Sequence, residues 1–257
     1  MLELPMQMPG GHLIIRHNAL SLLVNTGCPV SMGTRPSLLF LDREIPVLER
    51  YHGVTVPEWS EVIGVHIDGL LGSDVLGRYA VAIDPEAARV TFDGKRAERS
   101  RARVAPLSAV GGLPVVEVGL GGRRMRVLLH TGATLSCLRD VDTKDYPCAG
   151  VVRDCYPGVG EFTTELRRVP LSFGDQPVHL ECGLIPAELE RALRAVGVSG
   201  IVGTNLLQDF ALAWGPHFSE LGMVARRTTS PPLSPAPYAM PRPIAPACGS
   251  SVSGERS

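Results

Sequence analysis

Aromatic residues make up only 5% of the 257-residue chain, and neither sign of charge is in excess, with 25 Lys plus Arg against 26 Asp plus Glu. At a net charge of -1 the chain lacks the basic surface that binding to nucleic acid or to an anionic membrane requires. It also lacks an apolar run long enough to span a bilayer, and its first residues lack the basic and apolar regions of a secretory signal. We therefore expect a cytoplasmic protein whose partner is a protein, a peptide or a small molecule.

The cysteines show no CxxC pair and no even spacing that would mark a disulfide framework or a zinc site. In a cytoplasmic chain this pattern predicts reduced thiols, no metal and no cofactor. A nucleophilic pair of Cys137 with His130 is a weaker alternative, because an imidazole can lower the pKa of a nearby thiol. The six cysteines are Cys28, Cys137, Cys148, Cys155, Cys182 and Cys248.

Glycine and proline are abundant, at 28 and 22 residues, and this turn-rich composition favours many short strands over a helix bundle. Seven of the prolines lie in the last segment, 228–257, which has almost no periodic apolar pattern. This composition predicts a disordered tail. Its PPLSP and PRPIAP runs could bind a polyproline-reading partner, but the composition favours an inert solvated extension.

Two motifs occur twice in the same order, which indicates an internal duplication. The first is LLVNTGCPVSMG at 22–33 and VLLHTGATLSCL at 127–138, where an apolar strand precedes one polar residue and Thr-Gly. The second is DGLLGSDVLGRYAVAIDP at 68–85 and SGIVGTNLLQDFALAWGP at 199–216, identical at six positions with a constant offset of 131. We therefore expect two similar lobes, at 1–98 and 113–227, joined by a linker at 99–112.

Each half has the same predicted order of elements. A hairpin at 12–16 and 20–24, or at 115–120 and 124–129 around Gly121-Gly122, leads into the Thr-Gly turn. A short helix then begins near Ser73 or Thr204, each a plausible N-cap. Strands follow at 79–83 and 89–92 in the first half, and at 210–214 and 221–225 in the second.

The halves differ in the distance between their two motifs. Asn25 and Gly72 are 47 residues apart and His130 and Gly203 are 73 apart, so the second half carries 26 more. The extra residues include an amphipathic helix at 186–197 and a hairpin around Gly158, Val159 and Gly160, which is a candidate flap. The first half offers only a smaller hairpin at 38–48.

The bilobal aspartic proteases have a signature of two motifs, each of which occurs twice. The first is an apolar strand ending in Asp-Thr-Gly, and the second, later in the chain, is two apolar residues followed by a glycine. The chain resembles this family, in its compact retroviral (retropepsin-like) or bacterial single-chain form, over about residues 12–225. The resemblance implies an all-β fold with a few short helices, in which two duplicated lobes enclose a central cleft. It also implies that one chain supplies both sides of the cleft, so that a monomer suffices.

The family's catalytic chemistry does not follow from this resemblance. In the family each lobe contributes one Asp before its Thr-Gly, and the two carboxylates share a proton to activate a water. Here the two positions are Asn25 and His130, so both acids are replaced. An amide cannot act as an acid or base, whereas an imidazole can act as a general base.

The frame around the replaced acids is retained. Thr26, Gly27, Thr131 and Gly132 stand where the family has threonines that hydrogen-bond across the pseudo-two-fold axis and glycines that close the turns. Asp68 and Asp74 flank the second motif, and the resemblance places them behind the active turns, with Asp74 at the start of a helix. Glu161 is a solvated loop carboxylate unless the candidate flap carries it over the cleft.

We expect a catalytically silent aspartic-protease-like protein that binds an extended peptide or protein segment at the turns formed by Asn25, Thr26, Gly27, His130, Thr131 and Gly132. The alternative is an active peptidase that uses His130 as general base and Asn25 as hydrogen-bond donor to the oxyanion. A third hypothesis is that the cleft is idle and the tail alone captures a partner.

Overall fold

The computed structural model describes residues 1–93, 103–156 and 159–226. The predicted disordered tail, Cys248 and Gly158 of the candidate flap lie outside the described residues. We refer to 1–93 as the first lobe and to 103–226 as the second.

Short strands dominate both lobes, as the turn-rich composition predicts. The strands of the first lobe are β1 (Leu2–Gln7), β2 (Ile14–His17), β3 (Leu20–Val24), β4 (Met32–Gly33), β5 (Ser37–Phe40), β6 (Arg43–Pro46), β7 (Arg50–Tyr51), β8 (Val54–Thr55), β9 (Gly69–Leu71), β10 (Val81–Asp84) and β11 (Arg89–Phe92). Those of the second lobe are β12 (Arg103–Val110), β13 (Leu113–Leu120), β14 (Arg123–Leu129), β15 (Ser136–Leu138), β16 (Cys148–Tyr156), β17 (Gly160–Phe173), β18 (Gln176–Leu184), β19 (Gly200–Val202), β20 (Phe210–Trp214) and β21 (Glu220–Ala225).

The helices are few and short. They are α1 (Val56–Ile63), α2 (Ser73–Leu76), α3 (Asp140–Thr143) and α4 (Ala187–Ala195), with 3₁₀ turns at Pro9–Gly11, Thr204–Gln208 and Pro216–Phe218. None of the helices in the described part of the chain has the length and apolarity that crossing a bilayer demands.

The two long helices begin and end for local chemical reasons. At the start of α1, Thr55 and Glu58 form a reciprocal capping box, and at its end Gly64 adopts the left-handed conformation with φ 68°. In α4, Arg194 donates to Glu190 over 2.6 Å, an i,i+4 pair on the exposed face. Both helices turn an apolar face inward, as the period of their apolar residues predicts.

Hairpin turns set the register that leads into each Thr-Gly motif. Asn18 and Ala19 join β2 to β3 with φ 48° and 64°, and Gly121 and Gly122 join β13 to β14 with φ 55° and 78°. Two consecutive positive φ angles match the twist of the paired strands, as in type I′ hairpins. Both predicted hairpins are therefore present.

A six-stranded sheet joins the two lobes, with the strand order β1-β11-β10-β20-β21-β12. At its centre β10 and β20 pair antiparallel, and Ala82 lies opposite Ala213. These two alanines are also equivalent in the duplicated sequence, 131 positions apart. The pseudo-two-fold axis therefore passes between them, and each lobe contributes three strands.

Of the segment predicted as a linker, 99–112, residues 99–102 lie outside the described residues, and the rest is not a plain connection. From Arg103 it forms β12, which pairs with β13 and with β21 just as β1 pairs with β2 and β11. Alternating apolar residues such as Ala105 and Leu107 face the core, a pattern masked in the sequence by the charged run before them. β12 is thus the second-lobe counterpart of β1.

One large apolar core extends through both lobes, and a smaller cluster lies under each long helix. In the first lobe Trp59 and Ile63 of α1 pack on Leu23 and Leu70. In the second lobe α4 packs on the equivalent strands, with Leu189, Leu193, Leu128 and Ile201. The prediction of an all-β fold built from two duplicated lobes is confirmed.

Candidate functional site

Each Thr-Gly motif lies at the carboxyl end of a buried strand that pairs parallel with the strand of the second motif. β3 pairs with β9, and β14 pairs with β19. At the strand ends the N–H of Asn25 donates to the Leu71 carbonyl over 2.9 Å, and the N–H of His130 donates to Val202 over 2.8 Å. The two motifs of each half therefore meet, and both turns face the axis.

The two threonines join the turns by four hydrogen bonds across the axis. Each backbone N–H donates to the hydroxyl of the other threonine over 3.0 Å. The Thr26 hydroxyl donates to the Leu129 carbonyl over 2.5 Å, and the Thr131 hydroxyl donates to Val24 over 2.7 Å. Both threonines are fully buried, so these bonds hold the two strand ends at a fixed separation.

The two glycines are required because the opposite side chain occupies the space of a Cβ. A Cβ on Gly27 would overlap the imidazole ring of His130, and a Cβ on Gly132 would overlap the amide of Asn25. Asn25 and His130, which we call the axis residues, therefore each lie against the glycine of the other lobe. The predicted turn residues come together at one place on the axis.

Buried hydroxyls support both turns from behind. Ser73 donates to the carbonyl of Thr26, and Thr204 donates to Gly11 over 2.7 Å and to Ala133 over 3.2 Å. The helix caps are instead Gly72 and Gly203, with no side-chain cap bond, so the N-cap role predicted for Ser73 and Thr204 is wrong. Their hydroxyls bond the turns because the capping positions fall one residue earlier.

His130 is buried as a neutral imidazole with only 5% of its surface exposed. Its Nδ1 accepts two backbone N–H groups, from Gly132 over 3.1 Å and from Ala133 over 3.0 Å. An acceptor Nδ1 requires the ring proton on Nε2. Burial lowers the pKa of His130 from 6.5 to about 4, and the neighbouring His12 adds to the lowering.

Asn25 makes the corresponding bond in the first lobe. Its Oδ1 accepts the N–H of Gly27 over 3.1 Å, and only 2% of the residue is exposed. Both positions thus hold a neutral side chain whose acceptor atom faces backbone N–H groups two residues on. Neither of these two side chains therefore carries a charge near neutral pH.

Two hairpin tips cover the turns, and they are a third repeated motif that the sequence analysis missed. Residues 51–54 read YHGV and residues 156–159 read YPGV, at the same separation of 105 that relates Asn25 to His130. The first tip joins β7 to β8, and the second joins β16 to β17. The ring of Tyr156 lies edge-on to His130, with centroids 5.8 Å apart.

The candidate flap is thus a hairpin of the second lobe, with Val159 and Gly160 at its described tip. The 26 extra residues belong to the long β17–β18 hairpin, which follows this tip and precedes α4. In the first lobe α1 starts directly after β8. The smaller hairpin predicted at 38–48 exists as β5–β6, but the counterpart of the flap is β7–β8.

The hairpin tips, turns and long helices enclose a cavity of about 470 Å³ between the lobes. Its walls are mainly apolar, with Trp59 and Val62 of α1 on one side and Leu189 and Leu193 of α4 on the other. Among the residues that the structure describes, no Lys or Arg lines it. A cavity of this size and lining suits an uncharged apolar group better than an anion.

His12 and Asp154 line the same cavity and were not predicted as site residues. The His12 ring is hydrogen-bonded to the backbone of Gly132, its Nδ1 is buried with no partner in the described structure, and burial lowers its pKa to about 4. Burial also raises the pKa of Asp154, whose Oδ1 accepts the N–H of Cys155 over 2.8 Å. Nothing in the local sequence marks either residue, since only the fold brings them to the axis.

The other carboxylates predicted near the motifs lie away from the cavity lining. Asp68 accepts the N–H of Ser21 over 2.8 Å, and Asp74, in the first turn of α2, accepts the hydroxyl of Ser31 over 2.8 Å. Glu161 is exposed at the start of β17. None of the three lines the cavity around Asn25 and His130.

The cysteines of the described structure, Cys28, Cys137, Cys148, Cys155 and Cys182, are free thiols. Burial raises the pKa of Cys137 to about 12, so its thiolate is not available to form a nucleophilic pair with His130. In the described part of the chain no three His, Cys, Asp or Glu side chains converge into a group that could hold a metal ion.

No family model matches the sequence, and no curated protein matches it. Among solved structures, the aspartic proteinase from Irpex lacteus is similar to this chain, with 14% identity over 89% of this chain and 98% of that one and a TM-score of 0.47. At that identity and score the likeness transfers no residue role.

Proposed function

We propose that the protein is an aspartic-protease-like pseudoenzyme of the compact single-chain type, which binds an extended peptide or protein segment in the cavity between its lobes without cleaving it. The observation that carries this proposal is the hydrogen bonding of His130. Aspartic catalysis needs two carboxylates that share a proton, and the axis holds an amide and a neutral imidazole instead.

The arrangement of His130 argues against the alternative of a histidine-based peptidase. Its Nδ1 lone pair receives two N–H donors, and its Nε2 carries the ring proton. To accept a proton from water at Nε2, the ring would have to hold a proton on Nδ1 as well, facing two N–H groups. A base in this position has no free lone pair for a nucleophilic water.

The retained frame and the enclosed cavity support binding. Four buried hydrogen bonds of the threonines fix the two turns, and hairpin tips with Tyr51 and Tyr156 flank an apolar space. Because no cationic side chain lines that space, we expect segments with bulky apolar side chains to bind best. We place the protein in the cytoplasm and treat the tail as unnecessary for this binding.

A peptide-library digestion from pH 3 to pH 8 tests the lack of catalysis. We expect no cleavage above background by the wild-type protein. Turnover that disappears in His130→Ala would contradict the proposal. The variant Asn25→Asp with His130→Asp is the matched comparison: if it cleaves in acid, only the acids are missing, and if it folds but stays silent, the short first-lobe hairpin is a second deficiency.

A peptide-array binding assay tests the cavity as the binding site. Ala192 and Ala195 are both exposed on α4, but only Ala192 lines the cavity. Arginine is a good helix former, so Ala192→Arg and Ala195→Arg should both fold. We expect Ala192→Arg to weaken peptide binding by about tenfold or more and Ala195→Arg to leave it unchanged. Equal binding by both variants, or dependence on residues 228–257, would place recognition elsewhere.

A further inference from the structure

A second pocket, of about 380 Å³, lies in the second lobe away from the cavity between the lobes. β14, the residues around α3 and the loop after α4 form its walls. Four arginines and two carboxylates are among its lining residues, which are Glu117, Leu120, Arg123, Arg124, Met125, Arg126, Arg139, Asp142, Gly197 and Ser199. The pocket therefore carries a net charge of +2 in a chain whose total is -1.

A buried carboxylate holds two of the arginines in place. Only 3% of the Asp142 side chain is exposed, and its two oxygens accept from Arg139 Nε over 2.7 Å and from Arg123 Nη2 over 3.3 Å. Each guanidinium has five N–H donors, so most donors of both groups remain free. Asp142 thus acts as a positioning residue that presents two guanidinium groups along one wall.

Arg126 supplies an uncompensated charge to the pocket. In the strand register it lies opposite Glu117, but that carboxylate accepts from Arg124 over 2.6 Å. Within the described structure Arg126 forms no ion pair. Its Nη1 lies over Gly197, where a Cβ would be 3.4 Å away, so a glycine with φ 68° leaves room for the guanidinium.

We infer that this pocket binds a phosphate monoester, with Arg126, Arg123 and Arg139 donating to the phosphate oxygens. A phosphate monoester carries about -1.5 to -2 charges at pH 7, which matches the net charge of the pocket. The planar fork of arginine fits phosphate oxygens in pairs, and prior pairing with Asp142 reduces the entropy lost on binding. The group can belong to a small phosphorylated molecule or to a phosphorylated side chain of a peptide.

The test is calorimetric titration of the full-length protein with inorganic phosphate and with glycerol 2-phosphate at low ionic strength. We expect dissociation constants of about 1 mM or lower that rise steeply with added salt. Arg126→Gln should weaken binding by about tenfold or more. Arg168→Gln, an exposed arginine of the same lobe outside the pocket, should leave it unchanged.

Arg126 is exposed and forms no ion pair in the described structure, so we expect Arg126→Gln to fold. Arg123→Gln is a second variant that should also weaken phosphate binding, and it leaves the Arg139–Asp142 pair intact. A peptide with one phosphoserine distinguishes a phosphorylated side chain from a small phosphorylated molecule as the source of the group. If the peptide binds far more tightly than glycerol 2-phosphate, the site is for a phosphorylated peptide. If the two bind comparably, the site is for a small ester. No binding at millimolar phosphate, equal loss in Arg168→Gln, or equal binding of the unphosphorylated peptide would overturn the proposal.

Discussion

The two lobes share the threonine and glycine of the turn at the axis and differ in the residue that precedes them, which is Asn25 in one lobe and His130 in the other. The threonines, the glycines and the serines Ser31 and Ser136 occur in both lobes, and the two serine hydroxyls accept from Gly72 and Gly203 over the same 2.9 Å. The axis residues are instead an amide in one lobe and an imidazole in the other. The hydrogen-bonded frame is therefore the same in both lobes, whereas the two axis residues differ.

The lobes also differ in how they cover the cavity. The second lobe covers it with the tip of β16 and β17, and strands of nine and fourteen residues support this tip. The first lobe uses two-residue strands, β7 and β8. The hairpin over the cavity is therefore much longer in the second lobe, which also carries the titratable axis residue.

The largest loss of stability should come from removing the threonine hydrogen bonds across the axis, to which both lobes contribute equally. Thr26→Val and Thr131→Val each remove a hydroxyl and leave one buried N–H and one buried carbonyl without their partner, at about 1–3 kcal/mol for each group. We expect each variant to lose about 4 kcal/mol of unfolding free energy in urea titrations. Clearly unequal losses of unfolding free energy in the two variants would show that the two threonines do not contribute equally, although their hydrogen bonds are equivalent.

The next effect is a pH dependence of stability that arises from the axis residue of the second lobe and not from that of the first. The pKa of His130 is about 4 when folded and 6.5 ordinarily, so between these values the unfolded chain binds a proton that the folded chain does not. Stability should therefore fall as the pH drops from about 6.5 to 4, by about 3 kcal/mol from this group. Asn25 contributes no such change.

Urea unfolding at pH 7, 5.5 and 4.5 measures this effect. His130→Asn, which makes the two axis residues identical, should show a shallower loss, with the remainder arising in part from His12, whose pKa is lowered in the same direction. The exposed His179→Asn is the control and should behave as wild type. An unchanged slope in His130→Asn would refute the assignment of a buried neutral imidazole.

A smaller effect compares the two glycines. Gly27→Ala forces a methyl group into the ring of His130, which two N–H donors hold in place, whereas Gly132→Ala meets the amide of Asn25, held by one. We expect both alanines to destabilise the protein, by about 1–3 kcal/mol, with Gly27→Ala the worse. Thermal unfolding of the pair measures the difference, and the reverse order would mean that Asn25 is the more rigid residue.

The smallest effect concerns the two covering tyrosines. Tyr156→Ala should expose His130 to water and move its pKa upward from about 4, as followed by NMR titration of the ring. Tyr51→Ala should change this pKa less, because no ring contact joins Tyr51 to His130 in the described structure. Equal shifts in the two variants would mean that both hairpins shield the axis alike.

Sequence patterns predict what repeats in a fixed local order. The paired motifs, the hairpins into them and the strands at 210–214 and 221–225 follow from apolar periodicity and turn residues, and they are present. Helix α1 was missed because it has only eight residues and begins directly after β8, with no loop between them to mark its start. The strand at 103–110 was missed because charged residues precede it and because one of its two partners, β21, lies far along the chain.

The site was predictable only where it is local. Asn25 and His130 belong to motifs, whereas His12, Asp154 and the two tyrosines reach the axis through long-range pairing of strands. The shared YxGV tips at a constant separation of 105 are the signal that could have located the hairpins. The hydrogen bonds at Nδ1 of His130 depend on backbone geometry and are invisible in the sequence.

For the proposed binding of a segment between the lobes, the antiparallel pairing of β10 with β20 limits the routes of entry. Wide separation of the lobes would break the backbone hydrogen bonds around Ala82 and Ala213. Entry then depends on lifting of the hairpin tips, a local event of a few residues. A bound segment should therefore exchange at a rate set by hairpin opening, and slow release could arise without any tight contact.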